Sequence, residues 1–406
     1  MVDTKRLTEN GSFCILPWIH QFIHTNGDVL PCCTADYSMP VGNIRSERIE
    51  NLWNGTVYKR LRSDMLAGRK NSICNSCYKS PDQSTTPRIF ANRRFKGKLD
   101  IVKSTKPSGS LPNMVLNYLD IRWSNICNLK CRTCGEWNSS SWASENKANG
   151  LKPNGVFLKP SDDNGSLLES YLSNIDDVEE IYFAGGEPML MEEHYLLLDR
   201  LISAGKTNIL LRYNTNMTTL SFKDTSILDR WKLFDRVIVS ASIDSWGSRS
   251  SYVRHGSDWD QIVRNIRTIR KESPNTVIGF NTVVSIFNVM TITEFLDKLD
   301  DLGLLSTIMT NASFHNLTDP DYFSSSVLPD DIRNAAADKI SAYSARLPVD
   351  MSRLSERLHK VVIYLRQPGA PHLREKCLQQ IRLIDERRGE SFTETFPELA
   401  GWFLGQ

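Results

Sequence analysis

The chain has 406 residues, enough for one large domain with a smaller companion. Its 49 basic and 47 acidic residues leave a formal net charge of +2, which argues against a dedicated nucleic-acid or membrane-surface protein. No run of about 18 apolar residues occurs, and the opening MVDTKRLTENGSFC carries acids and Asn where a signal peptide has an apolar segment, so a cytoplasmic protein with no membrane partner is expected.

Residues 1–85 hold five of the nine cysteines, at positions 14, 32, 33, 74 and 77, with several turn signals and one helix over ENLWNGTVYKRLRSDMLAG, ending at Gly68. An odd total in tight groups is unlike a secreted disulfide framework; in a reducing cytosol such groups are metal or cluster ligands. The segment is thin in apolar residues and is expected to need metal to fold. A CxxC with distant partners suits zinc as well as iron–sulfur. Residues 86–113, with the basic run Arg93 to Lys98, have little periodicity and are expected to be a solvated linker.

Beyond Pro112, short apolar runs alternate with helical stretches. The expected strands are 115–123, 179–185, 208–215, 236–244, 276–284 and 304–310; the expected helices are 136–148, 190–205, 222–232, 258–272 and 290–302. Six βα units in this order, over 114–320, form an α/β domain with a parallel sheet, as either a curved partial barrel or a flat doubly wound sheet. Both collect chemistry at the C-terminal edge of the strands. Residues 321–406 are polar and helical and carry no chemical motif. Cys377 is expected to be a buried apolar residue of that helical extension.

The chemistry-bearing stretch follows the first of these strands: CNLKCRTC, with Cys127, Cys131 and Cys134 spaced CxxxCxxC. Iron–sulfur clusters and structural zinc usually take four protein ligands, so three thiolates on a four-iron cluster leave one iron open, as a catalytic centre requires. After the second strand comes AGGEPML, where Gly185 and Gly186 let backbone approach a bound group and Glu187 can accept hydrogen bonds from an ammonium.

Together these stretches resemble the radical S-adenosylmethionine (radical SAM) superfamily. The resemblance implies a partial (βα)6 TIM-like barrel whose cysteine triad holds a 4Fe–4S cluster, with the amino and carboxylate groups of SAM on the fourth iron. It further implies that Gly185, Gly186 and Glu187 bind the SAM amino group, and that Asn214 and Asn216 of YNTN lie near the cofactor. Ser240, Ser242 and Asp244 of SASID would contact ribose and carboxylate, and Arg254 of YVRHG would pair with the SAM carboxylate. The family usually has an aromatic residue just before the last cysteine; here Thr133 stands there, with Trp123 or Trp137 as possible substitutes.

The first 85 residues resemble the twitch or SPASM modules that hold an auxiliary iron–sulfur cluster, although these usually follow the barrel. Cys14, Cys74 and Cys77 with one of Cys32 and Cys33 would complete four ligands. The implied activity is reductive cleavage of SAM to a 5′-deoxyadenosyl radical that abstracts hydrogen from substrate. An electron donor such as flavodoxin or ferredoxin is implied with it.

A peptide or protein side chain is the first substrate class and a nucleotide or sugar the second; oxidation, cross-linking and epimerisation stay open. A metal- or cluster-stabilised binding protein without turnover is the alternative from another class. His20, His24, His194 and His255 lack a paired ligand spacing, and His315, after the sixth strand, is kept as a possible substrate contact.

Overall fold

The computed structural model describes Leu7 and residues 11–79, 86–152, 157–158, 166–305 and 312–405. Its strands, in chain order, are β1 (His20–Ile23), β2 (Asp28–Leu30), β3 (Gly42–Asn43), β4 (Tyr118–Ile121), β5 (Lys130–Cys131), β6 (Glu180–Phe183), β7 (Leu210–Thr215), β8 (Ser221–Phe222), β9 (Thr225–Ser226), β10 (Val237–Ser242), β11 (Arg254–His255), β12 (Thr276–Val284) and β13 (Ser313–Asn316). The chain divides into two compact units: Met1–Asn125 with Asn154–Arg212 and Leu233–Asp235, and Ile126–Pro153 with Tyr213–Lys232 and Arg236–Gln406.

In the first unit β4 lies between two parallel neighbours, β1 and β6, while β2 and β3 extend β1 as an antiparallel meander. The β1–β2 turn is built from Asn26 and Gly27: Gly27 sits at φ +90°, where a side chain is strained, and Asn26 Oδ1 accepts from the Asp28 amide at 3.0 Å. The cysteine-rich module therefore supplies a strand to the same sheet as the first strand of the βα series. Its single expected helix is two, Ile49–Trp53 and Thr56–Leu66, because the chain breaks at Asn54 and Gly55.

Residues 86–113 are not a solvated linker. They form the helix Pro87–Arg94 and a 3₁₀ stretch, Lys96–Ser104, with Ala91, Asn92, Phe95 and Val102 buried. The inward-facing residues include Arg88 and Asn92 while Phe90 points outward, so burial here does not follow an apolar period. Asn92 donates to the Phe13 carbonyl at 3.1 Å and accepts from the Ile15 amide at 2.9 Å, holding the chain on either side of Cys14.

In the second unit β12 pairs in parallel with both β10 and β13. The helix Trp259–Glu272 begins at Asp258, whose carboxylate accepts from the amides of Asp260 and Gln261, and it buries an apolar face of Ile262, Ile266 and Ile269. Instead of one helix over 222–232, the chain makes the β8–β9 hairpin, turning at Lys223 with φ +51°, and a single turn Leu228–Trp231. The sixth expected strand, 304–310, falls mostly outside the described residues; the strand found after it is β13.

The C-terminal region is helical as expected, with Asp330–Ala345, Ser352–Leu365 and Arg374–Arg388, and Cys377 is fully buried on the last. The fold is mixed α/β with parallel pairings in both units. Among the described residues no helix is long and apolar enough to cross a membrane.

Candidate functional site

In the second unit the CxxxCxxC loop has its backbone satisfied by the helix that follows it. The Cys127 amide donates to Ser140 Oγ at 3.2 Å and the Cys127 carbonyl accepts from Ser141 Oγ at 2.7 Å. Ser139 caps that helix, Ser140–Ala148, through the Trp142 amide and donates to the Leu129 carbonyl at 2.6 Å. Trp142 Nε1 donates to the Cys131 carbonyl at 2.8 Å. The run of three serines and a tryptophan after the motif thus fixes the loop, because these short donors meet carbonyls that no strand or helix would otherwise pair.

The thiols carry their own polar neighbours. Asn216 Nδ2 lies 3.9 Å from Cys127 Sγ and donates to Asn128 Oδ1 at 2.9 Å, while Arg254 Nη1 lies 3.9 Å from Cys131 Sγ. Strand β11 pairs antiparallel with β5, setting Arg254 opposite Cys131. Burial pushes the Cys131 thiol up, with Arg254 opposing; burial and Cys131 push Cys134 up to about 12. Neutral thiols are what this loop favours by itself, and a cationic group bound to the sulfurs would reverse that preference.

Asp244 and Arg254 form an ion pair at 2.8 Å with Asp244 almost fully buried, and Asp244 Oδ1 accepts from the Val283 amide at 2.8 Å. β10 ends at Ser242, so Ser240 and Ser242 share a half-buried face while Asp244 turns to Arg254 and β12. Asn214 is half-buried on β7. Trp137 is largely exposed, and His315 is an exposed residue of β13.

In the first unit Gly185 takes φ +105°, and a Cβ there would stand 3.1 Å from Arg122 Cβ and 3.2 Å from the Ser124 carbonyl. The Gly186 amide donates to that carbonyl at 3.3 Å. Glu187 is buried and its Oε1 accepts from the Met189 amide at 3.2 Å. Trp123 is buried in the same unit, edge-on to Tyr171.

The same unit carries a second thiol group. Cys14, Cys32, Cys74 and Cys77 line one cavity with Leu16, Met65, Tyr78, Pro87 and Arg88. Burial raises the Cys14 and Cys32 thiols, and burial with Cys32 and Cys77 pushes Cys74 up to about 12. Cys33 is exposed, is not among the lining residues, and has Asp120 and Arg122 as electrostatic neighbours. Those two neighbours escaped the sequence reading although they alternate in LDIRW: Arg122 Nε lies 3.2 Å from Asp120 Oδ1, and Asp120 is opposite Tyr182 of β6.

The profile of the radical SAM superfamily matches residues 121–303, and that of the SPASM iron–sulfur cluster-binding domain matches residues 14–78. The chain belongs to the radical SAM superfamily. This radical SAM chain and its SPASM domain imply 4Fe–4S clusters and SAM as cofactors. Both thiol groups fit such clusters, since each gathers desolvated sulfurs that raise one another's pKa, with Arg254 beside the triad and Arg88 beside the second group only partly opposing that rise.

Similar solved structures include native anSMEcpe with bound AdoMet, at 18% identity, 55% of this chain, 58% of that chain and a TM-score of 0.38. Streptococcus suis SuiB bound to its precursor peptide SuiA is similar at 15% identity over 72% of this chain and 62% of that one, with a TM-score of 0.38. The radical SAM chain thus spans less than two thirds of the length of these structures. No curated protein matches it.

Proposed function

We propose that the chain cleaves SAM reductively and uses the resulting 5′-deoxyadenosyl radical to abstract hydrogen from a peptide or protein side chain. The observation that carries this reading is the loop in which Cys127, Cys131 and Cys134 are held by Ser139, Ser140, Ser141 and Trp142, with Asn216 and Arg254 against two of the sulfurs. When bound, a reduced cluster on that loop supplies one electron to the sulfonium of SAM, giving methionine and the radical.

The chain's own residues hold and shield these groups. In this reading Cys127, Cys131 and Cys134 ligate the cluster, and Gly185, Gly186 and Glu187 receive the SAM amino group. Asn214, Asn216, Ser240 and Ser242 line the nucleoside, while Arg254, oriented by Asp244, faces negative charge. Cys14, Cys32, Cys74 and Cys77 hold the auxiliary cluster, which leaves Cys33 as the spare thiol. The module of residues 1–85, the barrel of 114–320 and the extension of 321–406 are the working divisions. A radical SAM domain joined to an auxiliary-cluster module is what supports a peptide or protein substrate.

Anaerobic reconstitution followed by SAM and dithionite tests the reading. 5′-Deoxyadenosine is expected from the loaded chain and falls to background in Cys131→Ala, while SAM changes the electron paramagnetic resonance of the reduced cluster. A loaded, reduced chain whose resonance ignores SAM and which forms no 5′-deoxyadenosine overturns it. For the substrate, a short peptide encoded beside the gene should show a mass change after incubation; a modified nucleotide or sugar instead would replace the peptide reading.

A further inference from the structure

The C-terminal extension has no motif of its own, yet its helix Arg374–Arg388 and the turn after it converge on the CxxxCxxC loop. Arg132, inside the motif, is fully buried and pairs through Nη2 with both Asp385 and Glu390, while its Nε donates to the Tyr252 carbonyl at 3.1 Å. Asp385 also accepts from Tyr252 Oη at 2.7 Å, and Glu390 lies 2.7 Å from His255 Nδ1. Tyr252 and His255 flank Arg254, the residue set against Cys131.

A second set of contacts arrives from Arg388. It bonds Glu145 at 3.0 Å, and Glu145 in turn pairs with Lys130 of the motif. The Arg388 guanidinium lies 4.6 Å from the centre of the Trp142 ring, whose Nε1 holds the Cys131 carbonyl. Arg132, Arg388 and Lys130 are thereby matched by Asp385, Glu390 and Glu145, a network with no surplus charge. Buried charges cost solvation, and the ion pairs offset that cost here even though Nη1 of Arg132 and of Arg388 is buried without a hydrogen-bond partner among the described residues.

We propose that Asp385, Glu390 and Arg388 are positioning residues for the cluster on Cys127, Cys131 and Cys134, setting how firmly it is held and its spectroscopic character through Arg132, Trp142 and the Arg254 strand. The proposal rests on the reading of that loop as the SAM-cluster site. Outer contacts of metal ligands typically change affinity by about 10–100-fold when removed.

The test uses the full-length chain with both clusters loaded anaerobically, and follows iron release to excess EDTA. The release phase missing from Cys127→Ala belongs to the triad cluster; the remaining phase is the auxiliary cluster and serves as an internal control for global unfolding. In D385N/E390Q the triad phase should quicken about tenfold or more, the auxiliary phase should keep its rate, and the resonance of the reduced triad cluster should shift. Glu390→Gln alone should give a smaller acceleration of the same phase, which keeps the test available if the double variant folds poorly. Unchanged triad release and an unchanged resonance in a folded variant overturn the proposal, as does equal acceleration of both phases. Equal iron content in wild type and Cys127→Ala would instead sink the reading of the loop and the proposal with it.

Discussion

Gly185 shows how a single residue ties backbone geometry to the proposed cofactor contact. Its φ of +105° lies where side chains are strained, and a Cβ would press on the Arg122 Cβ and the Ser124 carbonyl just beyond β4, neither of them the free end of a flexible side chain. Gly185→Ala is therefore expected to destabilise the fold by about 1–3 kcal/mol, read as a lower urea midpoint. A midpoint equal to that of the parent chain would show that the turn relaxes freely. Residues of this kind are legible in the sequence, because two adjacent glycines before Glu-Pro already mark backbone that a bound group can approach closely. Arg132 is not legible in the same way: its partner Asp385 lies 253 positions away, and no period or spacing connects them.

At the scale of elements, apolar runs located β4, β6, β7, β10 and β12 to within a few residues, since each strand carries Leu, Ile, Val or Phe in a short buried burst, even though polar residues such as Asp120, Glu180 and Thr282 are buried among them. The helix Pro87–Arg94 escaped because its inward face is Arg88, Ala91 and Asn92, which no hydrophobic pattern marks. The packing of that helix depends on Asn92, which holds one buried amide and one buried carbonyl beside Cys14. Asn92→Ala leaves both backbone groups unpaired and should cost about 2–6 kcal/mol, since each unmet buried group costs roughly 1–3. It should also lower auxiliary iron content while sparing iron on the triad. Equal loss of both iron pools would mean the helix supports the fold as a whole and not the Cys14 segment in particular.

For the whole molecule, two groups of buried thiols make stability depend on metal and on pH together. The Cys74 thiol keeps its proton in the folded chain up to about 12, because burial and the nearby Cys32 and Cys77 disfavour the thiolate, whereas an exposed thiol ionises near 9. Between those values the unfolded chain has released a proton that the folded chain still holds, so stability of the cluster-free protein falls as pH rises through that window and is level below it. Binding a cluster removes the proton at the outset, and the binding free energy becomes folding free energy. The urea midpoint of the cluster-free chain should therefore drop between pH 8 and about 10.5, more steeply than in the loaded chain and more steeply than in cluster-free Cys74→Ser. The loaded chain, with about eight irons in two four-iron clusters, should lie above the cluster-free one at every pH. Parallel pH slopes in all three samples would mean that these thiols ionise as easily in the fold as outside it, and that the cavity they line is not the desolvated, mutually repelling set from which the auxiliary site is argued.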